Sequence, residues 1–177
     1  MYFEPIAELT CSHLRSHIEN YLDEIAARYT GRQRVPLIVP KSIDATSVVG
    51  GMWKDFDEIL PQYGVDVLGR SFSGVSDNLF EYEYPGQING MVHAMDEQSV
   101  DRLCKRHCEA VERFVKEHQF MHQESNDQFS IIELGHSETT LSGAEQINGE
   151  DNKSIWIAGF SVNVIWLVSE DGASQHA

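Results

Sequence analysis

Basic residues are scarce in this sequence. The chain has 13 Lys and Arg residues against 28 Asp and Glu residues, which gives a formal net charge of -15. Proteins that grip DNA or RNA use Lys and Arg to neutralise phosphates, so the composition argues against a nucleic-acid-gripping domain. An acidic surface is compatible instead with one that repels DNA or keeps a concentrated protein soluble.

Cysteine is also scarce, and long apolar runs are absent. The three cysteines are an odd number without a dense framework, which does not favour a disulfide-stapled secreted domain. The opening MYFEPIAEL has no basic segment followed by an apolar one, and no run reaches the roughly 18 apolar residues of a membrane span. We therefore expect a protein of the reducing cytoplasm with no membrane partner.

The sequence contains none of the common catalytic signatures. The stretch SVVGGM (47–52) lacks the Lys-Ser/Thr pair of a phosphate-binding loop, and neither GxSxG nor GxGxxG occurs. We expect no catalytic, cofactor-binding or metal-binding residues, no cofactor and no enzymatic activity.

One segment offers an alternative to this expectation. Cys104 and Cys108 are four residues apart, so on a helix they share a face, with His107 beside them. That is half of a zinc site, but zinc needs four ligands, or three and a water, and no second pair has matching spacing. Both cysteines also fit a buried stripe that Val100 and Val111 continue, which we favour. A small metal-dependent enzyme that uses this helix is the alternative.

Two histidine pairs have the same i, i+4 spacing. His13 and His17 flank the apolar stripe of the first helix, and His118 and His122 follow the end of the second. The HExxH form, with Glu as the base, is absent. We interpret the first pair as flanking the core and the second as surface histidines at a helix end.

Hydrophobic periodicity predicts two amphipathic helices. The first covers 5–29, with Pro5 at its first position and Gly31 just beyond its end. The second begins after Asp96, a suitable N-cap, and has mixed charges on its outer faces. Between them, 35–40 is expected to be a strand or an extended connector.

The remaining segments predict strands and turns. A period-two pattern covers 80–84, an interruption is expected at Pro85-Gly86, and a second extended segment follows with Ile88, Gly90 and Val92 on one face. The stretch 55–72 is ambiguous between helix and strand, 73–78 is predicted to be a turn, and 129–134 a strand. The polar segment 135–153 is predicted to be a long loop or mobile hairpin.

The longest strand is predicted near the end of the chain. Alternation is unbroken from Trp156 to Val168, and these thirteen residues would extend roughly 43 Å, whereas most strands have five or six residues. We expect this strand to run past its own domain or to lie in a subunit interface, with 170–177 as a flexible tail. The prediction is one α+β domain over 1–177, with two helices against a mixed or antiparallel sheet.

This layout resembles the tail-terminator and tail-completion (head-tail joining) proteins of tailed bacteriophages. The resemblance rests on the long N-terminal helix, VPLIVP (35–40), the stretch from Tyr82 to Val115 in which a strand ends in Ala-x-Asp and opens a helix, and WIAGFSVNVIWLV (156–168). It implies a virion protein at the tail-neck junction, assembled in the host cytoplasm. Such a protein forms a ring, usually a hexamer, that caps the tail tube.

The resemblance also implies partners: further copies of the chain, the tail tube protein, neck or connector proteins and possibly a sheath protein. DNA would pass through the ring without specific binding, and no cofactor or reaction is implied. A ring needs heterologous contacts that close, which a protruding strand or an exposed sheet edge supplies by strand addition. A cytoplasmic protein-binding domain of similar layout is a further alternative.

Overall fold

The computed structural model describes residues 2–45, 60–77, 79–119, 129–148 and 154–171. These residues form a single α+β domain in which two helices pack on one face of a seven-stranded mixed sheet, as the sequence predicts. None of the helices described is both long and apolar enough to cross a membrane.

The two helices begin and end close to their predicted limits. Helix α1 covers Phe3–Ala26 and helix α2 covers Glu97–Glu117. Asp96 caps α2 as expected, because its side chain accepts a hydrogen bond of 2.8 Å from the Ser99 amide. A short 3-10 helix at Gly31–Gln33 follows α1, and Gly31 has a φ of +60°, which glycine adopts without steric cost.

The sheet has the order β1-β2-β4-β7-β5, with β3 paired to β4 and β6 paired to β7. Only β1 and β2 run parallel, and the other neighbouring strands run antiparallel. The strands are β1 (Ser42–Asp44), β2 (Gln62–Val67), β3 (Ser71–Ser76), β4 (Leu79–Ala94), β5 (Phe129–Leu141), β6 (Glu145–Asn148) and β7 (Ser154–Asp171).

The expected interruption at Pro85-Gly86 is wrong, because β4 continues through both residues. The Pro85 carbonyl accepts a hydrogen bond of 2.8 Å from the Leu68 amide, in the connection between β2 and β3. The amide nitrogen and carbonyl of one strand residue point to the same side, so the missing N–H of Pro85 faces that connection rather than β7. Proline is therefore tolerated there at no cost to the central ladder.

The expectation that the last strand protrudes is also wrong. β7 lies in the middle of its own sheet, where β4 pairs with it from Trp156 to Asp171. On its other side β5 pairs with its C-terminal part and β6 with its N-terminal part. Its length is thus matched within the chain, since β4 has 16 residues and β7 has 18.

Several shorter predictions also need correction. The predicted turn at 73–78 includes the second half of β3, through Ser76. In the segment 135–153, predicted to be a long loop or mobile hairpin, residues 135–141 belong to β5, so a loop is wrong there. Residues 145–148 form β6, which pairs antiparallel with β7, the next strand along the chain, in agreement with the hairpin alternative. Glu170, placed in the flexible tail, is a buried residue of β7. Residues 35–40 form an extended connector, and 46–59, His122 and 172–177 lie outside the described residues.

The core lies between the helices and the inner face of β4 and β7. Two glycines of β4 make room for aromatic rings from β7: a Cβ on Gly90 would lie 2.4 Å from the Phe160 ring, and one on Gly86 would lie 2.6 Å from Trp166. The Trp166 indole donates a hydrogen bond of 3.0 Å to the Thr10 hydroxyl of α1. This contact fixes α1 over the sheet.

Candidate assembly surfaces

The His/Cys segment of α2 faces the core. His107 is fully buried, and its Nδ1 atom lies 2.6 Å from the Tyr63 hydroxyl of β2, within hydrogen-bonding distance. Burial lowers the pKa of His107 from 6.5 to about 3, because the interior disfavours the charged imidazolium. The ring is therefore neutral at physiological pH and acts as part of the packing between α2 and the sheet.

The two neighbouring cysteines are buried in the same layer. Cys104 donates a hydrogen bond of 3.2 Å to the Gly159 carbonyl, and burial raises the pKa of both Cys104 and Cys108 to about 12. Both side chains are thus thiols at neutral pH, whereas metal ligation and nucleophilic attack use the thiolate. In the part of the chain that the structure describes, no group of three or more His, Cys, Asp or Glu side chains is arranged to hold a metal ion.

Three histidines from the two helices lie together at the surface. The His118 ring centroid is 4.4 Å from that of His17 and 6.4 Å from that of His13. His17 donates through Nδ1 to the His13 carbonyl and His118 to the Phe114 carbonyl. The sequence placed these residues on separate helices without indicating that they meet. Partial burial lowers the pKa of His118.

The face of the sheet opposite the helices is open and polar. A shallow depression of about 300 Å³ is lined by Gln87, Asn89, Met91, Thr140 and Ser161, among others. No Lys or Arg occurs in any of the seven strands, whereas acidic residues occur in β1, β2, β4, β5, β6 and β7. The open face therefore lacks strand cations that could hold a phosphate backbone.

The β3–β4 hairpin presents apolar side chains that nothing in the described chain covers. We call Phe72, Val75 and Phe80 the hairpin patch. Phe72 and Val75 are each 60% exposed, and no residue of β3 is buried. Pairing of Val75 with Phe80 and of Phe72 with Tyr82 places all of them on the helix side of the sheet. This patch is not evident from the sequence, because the bulge between Phe72 and Gly74 breaks the alternation of apolar and polar residues.

A buried ion pair holds the base of this hairpin. Arg70, in the connection before β3, donates a hydrogen bond of 2.6 Å to Glu170, which is only 2% exposed. Tyr84 donates to the other carboxylate oxygen, and its pKa is raised by burial and by this contact. The Arg70 guanidinium also stacks 3.5 Å from the centre of the Tyr82 ring. The hairpin is therefore tied to the end of β7 at a defined angle.

A groove lies at the C-terminal end of α1. It has a volume of about 600 Å³ and is lined by Ala26, Ala27, Tyr29, Val35, Pro36 and Leu37, with Asp23 and Arg34 also at its wall. The segment that forms it is held in place by α2. Arg106 stacks 3.6 Å from the centre of the Tyr29 ring and donates to the Gln33 carbonyl at 2.6 Å, and Arg102 donates to the Arg32 carbonyl at 2.8 Å.

Comparison with known proteins finds similarity in fold but not in sequence families. No family model matches the sequence, and no curated protein matches it. Among solved structures, the fold is similar to a chain in the virion of a native gene transfer agent particle, at 9% sequence identity and a TM-score of 0.41. The similarity covers 96% of this chain and 99% of that chain. The likeness is one of overall layout, and we transfer no residue role from it.

Proposed function

We propose that this chain is a structural subunit of a phage-type virion. In this proposal it forms a hexameric ring, as the tail-terminator resemblance implies, which caps the tail tube and joins it to the neck or connector. The partners are further copies of the chain, the tube protein, the neck proteins and, in a contractile tail, the sheath protein. The chain catalyses no reaction and binds no cofactor.

The observation that carries the proposal is the hairpin patch. A small soluble domain rarely leaves several large apolar side chains exposed together, and where it does, they mark interaction sites. Phe72 and Val75 are exposed although the core below them is closely packed and the base of the hairpin is pinned by the Arg70–Glu170 pair. A rigid, exposed apolar surface is suited to binding another protein surface rather than a small substrate.

The charge distribution supports passage of DNA without binding. Six of the seven described strands have acidic residues and none has a basic one, so a ring lumen lined by the open sheet face would repel the DNA backbone. A tube terminator needs this property, because DNA that adhered to the lumen would not leave the particle.

The chemistry of the His/Cys layer supports a structural role over the enzymatic alternative. His107, Cys104 and Cys108 are buried, and burial holds each of them in its neutral form at physiological pH. Stoichiometric zinc in the purified protein, lost in a Cys104→Ser/Cys108→Ser variant, would favour the enzyme instead.

Electron microscopy of tail tubes tests the proposal. Tubes assembled from the tube protein of the same genome are incubated with the purified chain, and the control is a second, unrelated acidic protein of equal size. We expect rings at the tube ends and an arrest of tube growth, with light scattering showing a closed oligomer. A chain that stays monomeric alone and with tubes contradicts the proposal, and binding to a cytoplasmic protein without any effect on tubes favours the binding-domain alternative.

A further inference from the structure

A cleft with basic walls lies between α2 and the segment that follows α1. It has a volume of about 260 Å³ and is lined by Tyr29, Gln33, Arg102, Lys105, Arg106 and Glu109. Half of the lining side chains are therefore cations, although the chain as a whole has 13 Lys and Arg residues against 28 Asp and Glu residues. We call this site the cationic cleft. Its charge is opposite in sign to that of the rest of the molecule.

Two arginines of the cationic cleft are positioned by backbone carbonyls and form no salt bridge within the described ranges. Arg102 donates to the Arg32 carbonyl and Arg106 to the Gln33 carbonyl, which holds both guanidinium groups at the wall. Arg106 is only 5% exposed, and its Nη1 atom is buried without a hydrogen-bond partner among the described residues. Arg106 thus brings a positive charge and an unused donor to the cleft, and an anion bound there would compensate them.

The acidic residues beside the cationic cleft do not cancel its charge. Glu109 is paired with Arg28, which does not line the cleft. Lys105 is paired with Asp101 at 2.8 Å, but the two side chains are 58% and 53% exposed. Surface pairs of this kind contribute little, so a competing anion can displace the Asp101 carboxylate. The guanidinium groups favour carboxylate or phosphate oxygens, which match their fork of N–H donors.

The groove at the C-terminal end of α1 adjoins the cationic cleft and distinguishes among anions. Tyr29 lines both, and beyond it the groove has apolar walls that include Ala27 and Val35. Ile38 and Val39, directly after the groove-lining segment, are 50% and 39% exposed. A free anion would fill the cleft alone, whereas a peptide with an apolar side chain near a carboxylate would fill both. A DNA duplex would also meet the remaining surface of a chain with net charge -15, which repels it.

We propose that the cationic cleft and the adjoining groove bind a short acidic and apolar segment of a different protein. In this contact a Glu or Asp side chain of the segment accepts hydrogen bonds from Arg102 and Lys105 beside the Tyr29 ring. An apolar side chain close to it in sequence enters the groove, and the buried charge of Arg106 adds to the attraction. The inference goes beyond the ring and does not depend on it, because the site is complete within one subunit.

Fluorescence anisotropy of labelled peptides tests the proposal. The probes are short peptides that combine one Leu, Ile, Val, Phe or Met with Glu or Asp at varied spacing, and each has a version in which Gln or Asn replaces the acid. We expect acidic peptides to bind and their amide versions to bind about 10-fold more weakly. Added salt should weaken binding of the acidic peptides. The proposal is overturned if no acidic peptide binds at about 1 mM, or if the amide versions bind equally well.

A matched pair of lysine variants locates the site. Lys105→Gln removes a cation of the cleft, and Lys116→Gln removes an exposed cation of the same helix outside it, so the net charge changes equally. We expect Lys105→Gln to weaken binding of the tightest peptide by about 5-fold and Lys116→Gln to leave it unchanged. Arg102→Gln should weaken it by about 10-fold. Circular dichroism verifies that each variant is folded. Equal losses for the two lysine variants would show a general charge effect and would overturn the site.

A second pair of variants and three competitors test the peptide assignment. Ala27→Trp fills the groove at an exposed position, and Ser16→Trp adds the same ring at an exposed position earlier in α1. We expect only Ala27→Trp to remove the preference for an apolar residue over Ser in the peptide. The competitors are glutarate, inorganic phosphate and a short DNA duplex. Displacement of the peptide by glutarate or phosphate at equal concentration would indicate a free-anion site, and tighter binding of DNA a nucleic-acid site. Either result contradicts the proposal.

Discussion

The two halves of β4 share a pattern and differ in what covers them. From Tyr84 to Val92 the inward residues of the strand are buried under the helices. From Leu79 to Tyr82 the same face carries Phe80 and Tyr82, yet both are only partly buried and their partner strand β3 has no buried residue. One strand thus belongs to the core at one end and to a partly exposed surface at the other. The difference teaches that alternation fixes which way a side chain points, whereas the neighbouring elements decide whether it is buried.

The comparison predicts its largest effect for truncation of a covered side chain of β4, set against truncation of an exposed side chain of its partner strand β3. Ile88→Ala removes a fully buried side chain from the covered half and should lower the free energy of unfolding by about 4 kcal/mol. Val75→Ala, at a 60% exposed position of the hairpin, should change it by less than about 0.5 kcal/mol. Urea unfolding measures both. Equal losses would show that the hairpin patch is covered in the folded monomer and would remove the contrast.

The stability of the protein at the junction between the two halves of β4 is predicted to depend on the Arg70–Glu170 ion pair. Arg70→Met leaves the 2% exposed Glu170 carboxylate without its cation, which should destabilise the protein by about 3 kcal/mol. The matched control is Arg28→Met, which breaks the exposed Arg28–Glu109 pair and should cost less than about 1 kcal/mol. The comparison uses urea midpoints at fixed salt, because an uncharged denaturant does not screen the ion pairs. A small loss at Arg70 would mean that the hairpin is not anchored by this pair.

The helix that covers this half of β4 is predicted to make the stability of the protein depend on pH through His107 of α2. Its pKa in the folded chain is about 3, below the ordinary 6.5, so the unfolded chain binds a proton that the folded chain excludes. Stability is therefore complete above pH 6.5 and declines as pH falls toward 3, by about 2 kcal/mol between pH 7 and pH 5. His107→Gln removes this contribution, while His136→Gln, at an exposed position, keeps it. Urea midpoints at the two pH values give the difference, and identical slopes in all three proteins would contradict the assignment.

The smallest predicted effect concerns the start of the covering helix. Asp96→Ala removes the side-chain acceptor of the Ser99 amide at the point where β4 passes into α2, and should cost about 1 kcal/mol. Asp96→Asn retains an acceptor oxygen and should cost much less. Thermal unfolding of the two variants provides the measurement. An equally large loss for both would indicate that charge at the helix N-terminus, rather than the hydrogen bond, is the stabilising factor.

The elements that follow a regular period could be predicted from the sequence. The stripes of α1 and α2, the Asp96 cap and the alternation from Trp156 to Val168 all depend on neighbours a few residues apart, and the structure contains each of them. The continuity of β4 through Pro85 was not predictable, since it depends on β2 ending and β3 beginning beside that residue. Strand β3 was not predictable for a similar reason. Its bulge makes the sequence pattern irregular, and it is a strand because it pairs with β4.

The candidate surfaces also divide into those that local sequence patterns indicate and those that join distant parts of the chain. The sequence indicated that Cys104 and Cys108 lie in an apolar stripe, and the structure buries them there with His107. It did not indicate the hairpin patch, the groove or the meeting of His17 with His118, since each joins residues far apart in the chain. The long last strand was interpreted as a protruding one because sequence shows length and alternation but not the partners on either side.

The sequence by itself determined the fold class, the two helical stripes, the acidic balance and the orientation of most strand residues, because these follow from local periodicity and composition. Only the tertiary structure decided that β7 lies at the centre of the sheet, that the β3–β4 end of the helix-side face is uncovered, and that a groove lined by Tyr29, Arg34 and Val35 lies at the C-terminal end of α1. The physical reason is that burial and docking depend on which distant segments share space, and hydrogen-bond register across the sheet fixes that arrangement only when the whole chain is folded.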